Sequence, residues 1–297
     1  MDHGGKWPLV TIVTPSYNQG QYLEETIRSV LLQGYPNIEY IVNDGGSTDN
    51  SVDIIRKYEK WLCHWVSESD NGQSHAINNG FKKGTGDIFA WLNSDDIYKE
   101  NALKNVVKTF IQNSDVRVAI GQCIWVDQYR SPIRIKKSIC LDPVHFLRGG
   151  GGPGQPGVFF HQNVLRDVGL LDECLHYVMD WDYWIRIGLH YEATAIRGIS
   201  ALLAEARIWE GIKSVNGGLT SIKEREQVLD KIYRTKKSRD LLHSEKRKAY
   251  SDLHWRRARW YLQHGKYVHG SVEYFKATIL NPNIFVGYRR LRKIFSA

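Results

Sequence analysis

Apolar and polar positions fall into two alternating periods along the first half of the chain. Leu9-Val10-Thr11-Ile12-Val13-Thr14 is a β-prone run, which Pro15-Ser16-Tyr17-Asn18-Gln19-Gly20 is expected to break. Leu23, Ile27, Val30 and Leu31 then recur at i, i+4, i+7 and i+8, which predicts a helix with one apolar face. The same order repeats. Residues 38–43 read as a strand and 50–60 as a helix, 61–66 as a strand and 73–83 as a helix, and 88–92 as a strand. Ala102, Leu103, Val106, Val107 and Phe110 give the next apolar helix face, and 116–126 predicts a further strand. Strands alternating with helices predict a layered α/β fold.

The pattern changes twice. Gly149-Gly150-Gly151-Gly152-Pro153-Gly154-Gln155-Pro156-Gly157 cannot hold regular structure and is expected to form a mobile loop on the substrate side. From about Ile222 the chain becomes helical and basic. Residues 257–282, with Ala258, Tyr261, Leu262, Gly265, Tyr267, Tyr274, Phe275, Ala277 and Pro282, resemble one tetratricopeptide-type helical hairpin. A single repeat cannot bury its own face, so it is expected to pack against the body. The expected division is therefore a domain over 1–220 and a basic helical extension over 221–297.

Charge sharpens that division. Residues 1–220 carry 21 Lys+Arg against 25 Asp+Glu, a net of −4; residues 221–297 carry 19 against 7, a net of +12, which together give the chain its +8. Such a segment implies an anionic partner or surface. The stretch 284–295 mixes apolar and basic residues as an interfacial helix would. No apolar run is long enough to cross a bilayer, and residues 1–8 lack the apolar stretch of a signal peptide, so a cytoplasmic location is expected. The four cysteines show neither metal-ligand nor redox spacing, and Cys63 and Cys123 are expected to be buried thiols.

Candidate chemistry gathers at three strand ends. Asp95 and Asp96 follow strand 88–92 in the run Asn93-Ser94-Asp95-Asp96. Adjacent carboxylates repel each other and are costly near a core. A cation removes that cost, and Mg²⁺ takes one or two protein carboxylates plus substrate phosphate oxygens. The run reads either as a metal–diphosphate site at a strand's carboxyl end or as a polar turn capping the next helix. Asp44 precedes Gly45-Gly46, which permit close approach of a ligand, and has no capping duty, whereas Asp49 reads as a helix cap. Tyr17 stands where a ring can stack on a base or simply pack in its loop.

Taken in order, Thr14-Pro15-Ser16-Tyr17-Asn18, Asp44-Gly45-Gly46-Ser47-Thr48-Asp49, Ser67-Glu68-Ser69-Asp70-Asn71-Gly72 with Ala76-Ile77-Asn78, and Asn93-Ser94-Asp95-Asp96 resemble the motifs of the family 2 glycosyltransferases. Gly169-Leu170-Leu171-Asp172-Glu173 and Asp180-Trp181-Asp182-Tyr183-Trp184 extend the resemblance. It implies a GT-A, Rossmann-like nucleotide-diphospho-sugar transferase domain. It also implies inverting transfer from a nucleotide-diphosphate sugar to a hydroxyl of a glycan or lipid-linked acceptor, as in cell-surface polysaccharide biosynthesis. By the same resemblance Asp44 accepts a hydrogen bond from the base, with Pro15 and Tyr17 lining the pocket. Asp70 and Asn78 are further pocket candidates, with capping and packing as alternatives. Asp96 is favoured as direct ligand of Mg²⁺ or Mn²⁺, and Asp95 as contact to ribose or metal-bound water. Asn93 stands at the family's first acidic position. Asp180 matches the catalytic base, with an N-cap as its alternative, and Met179 replaces the Glu that often precedes it. Arg207 and Lys213 fall near the family's phosphate loop, where Trp209 stands in place of a common His, and Arg207 reads equally as an ion-pair partner. Gln155 and Trp181 are candidate acceptor contacts.

Two other functions compete. A sugar-1-phosphate nucleotidyltransferase shares the sheet but needs a Gly-rich, basic phosphate loop after the first strand, where this chain has Thr14-Pro15-Ser16-Tyr17-Asn18. The basic tail, with Trp255, Trp260, Tyr261, Tyr267 and Tyr274, has the composition of a nucleic-acid-binding surface. Those aromatics also fit helical packing, so no nucleic acid is expected, and an anionic membrane surface remains the candidate partner.

Overall fold

The structure, a computed structural model, describes residues 7–137 and 140–287. The chain forms two compact units. One comprises the described residues up to Leu141 together with Gly152–Trp209; the other comprises Asp142–Gly151 together with the described residues from Glu210 onward. A single boundary after residue 220 misses both the earlier switch at 209/210 and the inserted segment 142–151.

The first unit runs β1 (Val10–Ser16), α1 (Gly20–Leu31), β2 (Ile38–Asp44), α2 (Ser51–Tyr58), β3 (His64–Ser67), α3 (Gln73–Lys83), β4 (Ile88–Trp91), β5 (Ile97–Tyr98), α4 (Ala102–Gln112), β6 (Val118–Val126) and β7 (Pro132–Lys136). The segment 142–151 holds α5 (Pro143–Leu147). The first unit then resumes with β8 (Val158–His161), α6 (Asn163–Val168), α7 (Met179–His190) and β9 (Ile196–Arg207). Its strands form one mixed sheet in the order β3-β2-β1-β4-β8-β6-β9-β5, with β7 on β6. β3, β2, β1 and β4 are parallel, and β8 is antiparallel to both neighbours. Ile12, Leu23, Ile27, Tyr40, Val42, Ile55, Leu103 and Val106 belong to a core cluster of strand and helix residues. Each such side chain contributes about 1.5–3 kcal/mol by leaving water. An aromatic cluster of Phe81, Phe89, Trp91, Phe160, Tyr183 and Trp184 ties α3 and α7 to β4 and β8.

Several local expectations change. β1 continues through Pro15 to Ser16, because the missing proline N–H faces the side where β4 has already ended: Val13 is the last β1 residue paired to β4, opposite Trp91. β3 starts only at His64, after a 3₁₀ turn over Glu59–Trp61, and lies at the sheet edge, which leaves Cys63 exposed; Cys123 in β6 is buried. Part of the glycine run is close packing. A Cβ on Gly154 would sit 2.3 Å from Cys123, and one on Gly157 3.0 Å from the Gly121 carbonyl oxygen.

In the second unit α8 (Lys213–Asn216), α9 (Gly218–Arg234), α10 (Lys236–Leu242), α11 (Lys246–Gln263) and α12 (Tyr267–Leu280) follow one another. α11 packs on α9, on α12 and on α5. Arg148, just after α5, donates twice to Glu245, both at 2.7 Å. The Arg148 hydrogen bonds hold the Glu245 carboxyl down at about 2. α11 and α12 form the hairpin, turning at Gly265, whose φ of +71° suits glycine. Of the stretch 284–295, residues 288–295 lie outside the described residues.

Candidate active site

The carboxyl ends of β1, β2, β3 and β4 share one edge. Ser16 pairs with Asp44, Asp44 with Ser67, and Val13 with Trp91. Ligands bind at this edge in open α/β sheets. Two loops there are stapled together: the Asn18 N–H donates to Ser47 Oγ, and the Thr48 N–H donates to Asn18 Oδ1, each at 2.8 Å. Asp49 accepts from the Gly20 and Ser51 backbone N–H groups, so it ties the starts of α1 and α2.

Asp44 is buried, and its carboxylate accepts from the N–H groups of Gly46 (3.2 Å) and Ser47 (2.8 Å) and from the hydroxyls of Ser47 (2.6 Å) and Ser67 (2.7 Å). That uses about four acceptor positions of a carboxylate. Asp70 lies against the same turn. A Cβ on Gly45 would stand 3.0 Å from its carboxylate, and Asp70 Oδ1 accepts from the Gly72 N–H at 2.6 Å. Pro15 is buried in β1, while Tyr17 beyond it is 62 % exposed, its ring open for stacking.

The acidic loop after β4 is deeply set, with Asp95 7 % and Asp96 4 % exposed. Asp96 accepts from the Arg207 backbone N–H at 3.0 Å and from Asn93 Nδ2 at 3.3 Å, one on each oxygen. Asp95 Oδ2 accepts from the Trp209 indole N–H at 2.9 Å. The Arg207 guanidinium donates to the carbonyls of Asp95 and Gln128, both at 3.1 Å, pairs with Glu25 at 2.6 Å, and lies 4.3 Å over the Tyr22 ring. Trp209 meets Tyr22 edge-on at 5.3 Å. Burial raises the Asp95 carboxyl above the usual range. Burial and then the neighbouring Asp95 charge push Asp96 well above it. Among the described residues no three or more His, Cys, Asp and Glu side chains converge into a metal cage. The donor set fits a cation that draws one or two carboxylates from the protein and its remaining ligands from substrate phosphates.

α3 connects this loop to the segment that carries Asp180. Gln73 donates to Asn93 Oδ1 at 2.7 Å, and the Ser74 hydroxyl makes contacts of 3.0 Å to the Leu175 carbonyl and 2.8 Å to Met179 Sδ. Asn78 donates to the Leu171 carbonyl and Glu173, and accepts from the Leu171 N–H, so both ends of its amide serve packing. Asp180 lies half-buried in the first turn of α7 and accepts from the Trp181 N–H at 2.7 Å. Trp181 is buried beside it. Asp182 braces Arg186 at 2.8 Å. Gln155 donates to the Trp91 carbonyl at 2.9 Å, which brings it to the end of β4. Lys213 opens α8 of the second unit. The sequence reading did not find the bracing roles of Gln73, Ser74 and Glu25 or the bond from Trp209 to Asp95. Their partners are too distant in sequence to leave a local pattern.

Comparisons with known proteins agree with this architecture. An uncharacterized glycosyltransferase of Rickettsia prowazekii is 32% identical over 235 residues, covering 74% of this chain and 70% of its own. TuaG of Bacillus subtilis, a glycosyltransferase assigned by name to teichuronic acid biosynthesis, is 38% identical over 110 residues, 36% of this chain and 44% of its own. The structure of S. aureus TarS 1-349 in complex with UDP-GlcNAc superposes with a TM-score of 0.66 at 16% identity, over 95% of this chain and 92% of that one. The Pyrobaculum calidifontis mannosyltransferase PcManGT, in complex with GDP-Man and Mn²⁺, gives 0.59 at 17% identity, over 95% and 76%. The fold is therefore GT-A. The profile described as glycosyl transferase family 2 matches residues 11–166, and with these relatives it establishes that the chain is a family 2 glycosyltransferase.

Proposed function

We propose that this glycosyltransferase moves a sugar from a nucleotide diphosphate to a hydroxyl of a glycan or lipid-linked acceptor, with inversion, in cell-surface polysaccharide biosynthesis. One observation carries the proposal: two adjacent buried carboxylates, Asp95 and Asp96, sit at the carboxyl edge of the sheet with raised pKa values. Their mutual repulsion makes the loop receptive to a cation–diphosphate. The TarS and PcManGT structures hold UDP-GlcNAc and GDP-Man, which supports a nucleotide-sugar donor.

We reassign the direct ligand role from Asp96 to Asp95. Both Asp96 oxygens are held by protein N–H donors, which supports the exchange. When bound, Mg²⁺ or Mn²⁺ supplies a Lewis acid that stabilises the departing diphosphate. Trp209 holds the Asp95 carboxylate in place, and Arg207 anchors the loop from behind. Tyr17 stacks on the base. Asp70 and Asp44 face the base edge, Asp44 by yielding a serine hydroxyl. Asp180 takes the proton from the acceptor hydroxyl as it attacks the anomeric carbon. Gln155 and Trp181 line the acceptor side, and Lys213 meets phosphate. The protein works at the cytoplasmic membrane face, held there in part by residues 284–295. Among the described residues no helix is long and apolar enough to cross a membrane.

A thermal-shift screen of nucleotide diphosphates and their sugars, with and without Mn²⁺ or Mg²⁺, tests this reading. A ligand at a hundred times its Kd stabilises by about 2.7 kcal/mol, so one base should stand out, and only with metal. If no nucleotide diphosphate shifts the melt in either condition, the proposal fails.

A further inference from the structure

Helix α12 packs Tyr274 on Trp255 but presents most of its other large apolar side chains to solvent, with small or polar ones turned to the protein. Gly270, Glu273 and Ala277 are buried. Val268, Val272, Phe275 and Ile279 are 77%, 49%, 66% and 54% exposed. Their spacing of four, three and four residues makes one outward stripe roughly 16 Å long. Tyr267, also exposed, stands at its start. An amphipathic helix of a soluble protein ordinarily buries that stripe.

The helix is held by other means. A Cβ on Gly270 would stand 2.7 Å from Leu262, so α11 and α12 approach closely there. Glu273 pairs with His254 of α11 at 2.6 Å, and the Ser251 hydroxyl donates to the Ala277 carbonyl at 2.6 Å. Val268, Val272, Phe275 and Ile279 are thus left over from the packing of the hairpin. Glu273 is the one acid in α12, and it faces inward. Cations lie near the stripe: Lys266 precedes the helix, Lys276 lies within it and pairs with Glu273 at 2.6 Å, and Arg247 donates to the Ile279 carbonyl at 3.2 Å.

We propose that the outward face of α12 docks on an anionic lipid surface. An apolar stripe with basic flanks and no outward acid is complementary to acidic headgroups over acyl chains, into which such a helix sinks by about 5–10 Å. Each cation near the surface adds roughly fivefold to the partitioning. A second copy fits less well. A stable protein interface takes about 800 Å² from each partner, and four side chains in one row fall short of that. Pairing two copies would also bring together two segments that each carry +12. The inference deepens the proposed membrane-side reading and rests on it only for its purpose; binding itself is measured independently of transfer.

The test is flotation of the full chain with vesicles of phosphatidylcholine mixed with phosphatidylglycerol, against phosphatidylcholine alone, at ~0.1 M and ~1 M salt. Two variants accompany the wild type. One combines Val272→Ser, Phe275→Ser and Ile279→Ser; the other combines Arg289→Gln, Arg290→Gln, Arg292→Gln and Lys293→Gln. The wild type should float with the acidic vesicles at low salt. The serine variant should lose roughly tenfold or more of that retention, with an unchanged melt and an unchanged nucleotide-induced shift. The glutamine variant should keep an α12-dependent remainder. Wild-type retention by the serine variant overturns the inference. So do equal capture by phosphatidylcholine alone, complete loss in the glutamine variant, or a wild-type dimer that the serine variant abolishes. Transfer to a soluble acceptor, assayed in parallel, tells a failure of docking from a failure of the catalytic reading.

Discussion

Replacing Arg207 by lysine separates bracing from phosphate binding. The Arg207 side chain is 4% exposed, and all three guanidinium nitrogens are committed to protein: Nε to the Asp95 carbonyl, Nη1 to the Gln128 carbonyl and Nη2 to Glu25. A lysine ammonium keeps the charge but not the fork, and reaches at most one of these partners. The Glu25 pair counts for little, because Glu25 is half-exposed. Two hydrogen bonds from a charged donor are lost, one to the buried Asp95 carbonyl and one to the part-buried Gln128 carbonyl, at about 1.5 kcal/mol each, and stacking on Tyr22 adds about 0.5 kcal/mol. The sum is about 3.5 kcal/mol, which lowers the melting temperature by about 10 °C for a domain of this size. Calorimetry of Arg207→Lys measures the melt, and titration with nucleotide diphosphate well below it measures binding. Both should weaken, binding by about tenfold, because the carbonyl that anchors the Asp95 loop is released. A variant with the wild-type melt and no nucleotide affinity would show that Arg207 is a phosphate ligand, and the bracing argument would be wrong.

Asp180→Asn should reduce turnover by at least about a hundredfold with donor binding kept, since only proton abstraction is removed; near-normal turnover excludes it as base. Asp95→Asn should melt higher than the wild type at neutral pH without metal. Burial raises the carboxyl's folded pKa, so ionisation destabilises the fold increasingly as pH rises through it, and an amide escapes that. The same variant should lose the metal-dependent nucleotide shift, and a lower melt would contradict the electrostatic account. Glu245 has a depressed pKa, so its contribution is full above the ordinary value of 4.5 and is lost as pH falls toward about 2. Acid titration of helical circular dichroism should therefore show a slope in that window that Glu245→Gln reduces; parallel curves would refute it.

The strands β1, β2 and β4 were legible because their β-prone and apolar runs are local, and the motifs at their ends are contiguous in sequence. The GT-A fold and the transferase chemistry followed from the order of those motifs. What remained hidden depends on partners far along the chain. Asp95 and Trp209 are 114 residues apart, and Glu25 and Arg207 are 182 apart. Asp44 looked free for a ligand although Ser47, three residues on, closes a local turn on it; its other hydroxyl partner, Ser67, comes beside it only once β2 and β3 pair. The apolar residues of α12 read as hairpin packing, since periodicity marks a face without telling which way it turns.

The placement of residues 142–151 bears on how this protein can be inherited and cut. The polypeptide passes between its two units three times, after residues 141, 151 and 209. A single gene fusion or recombination near codon 210 would therefore transfer most of the helical unit without α5. It would strand Phe146 and Leu147, which are buried, and Arg148, the partner of Glu245. Neither product would be whole. A cut that keeps the helical unit whole must therefore carry residues 142–151 with it.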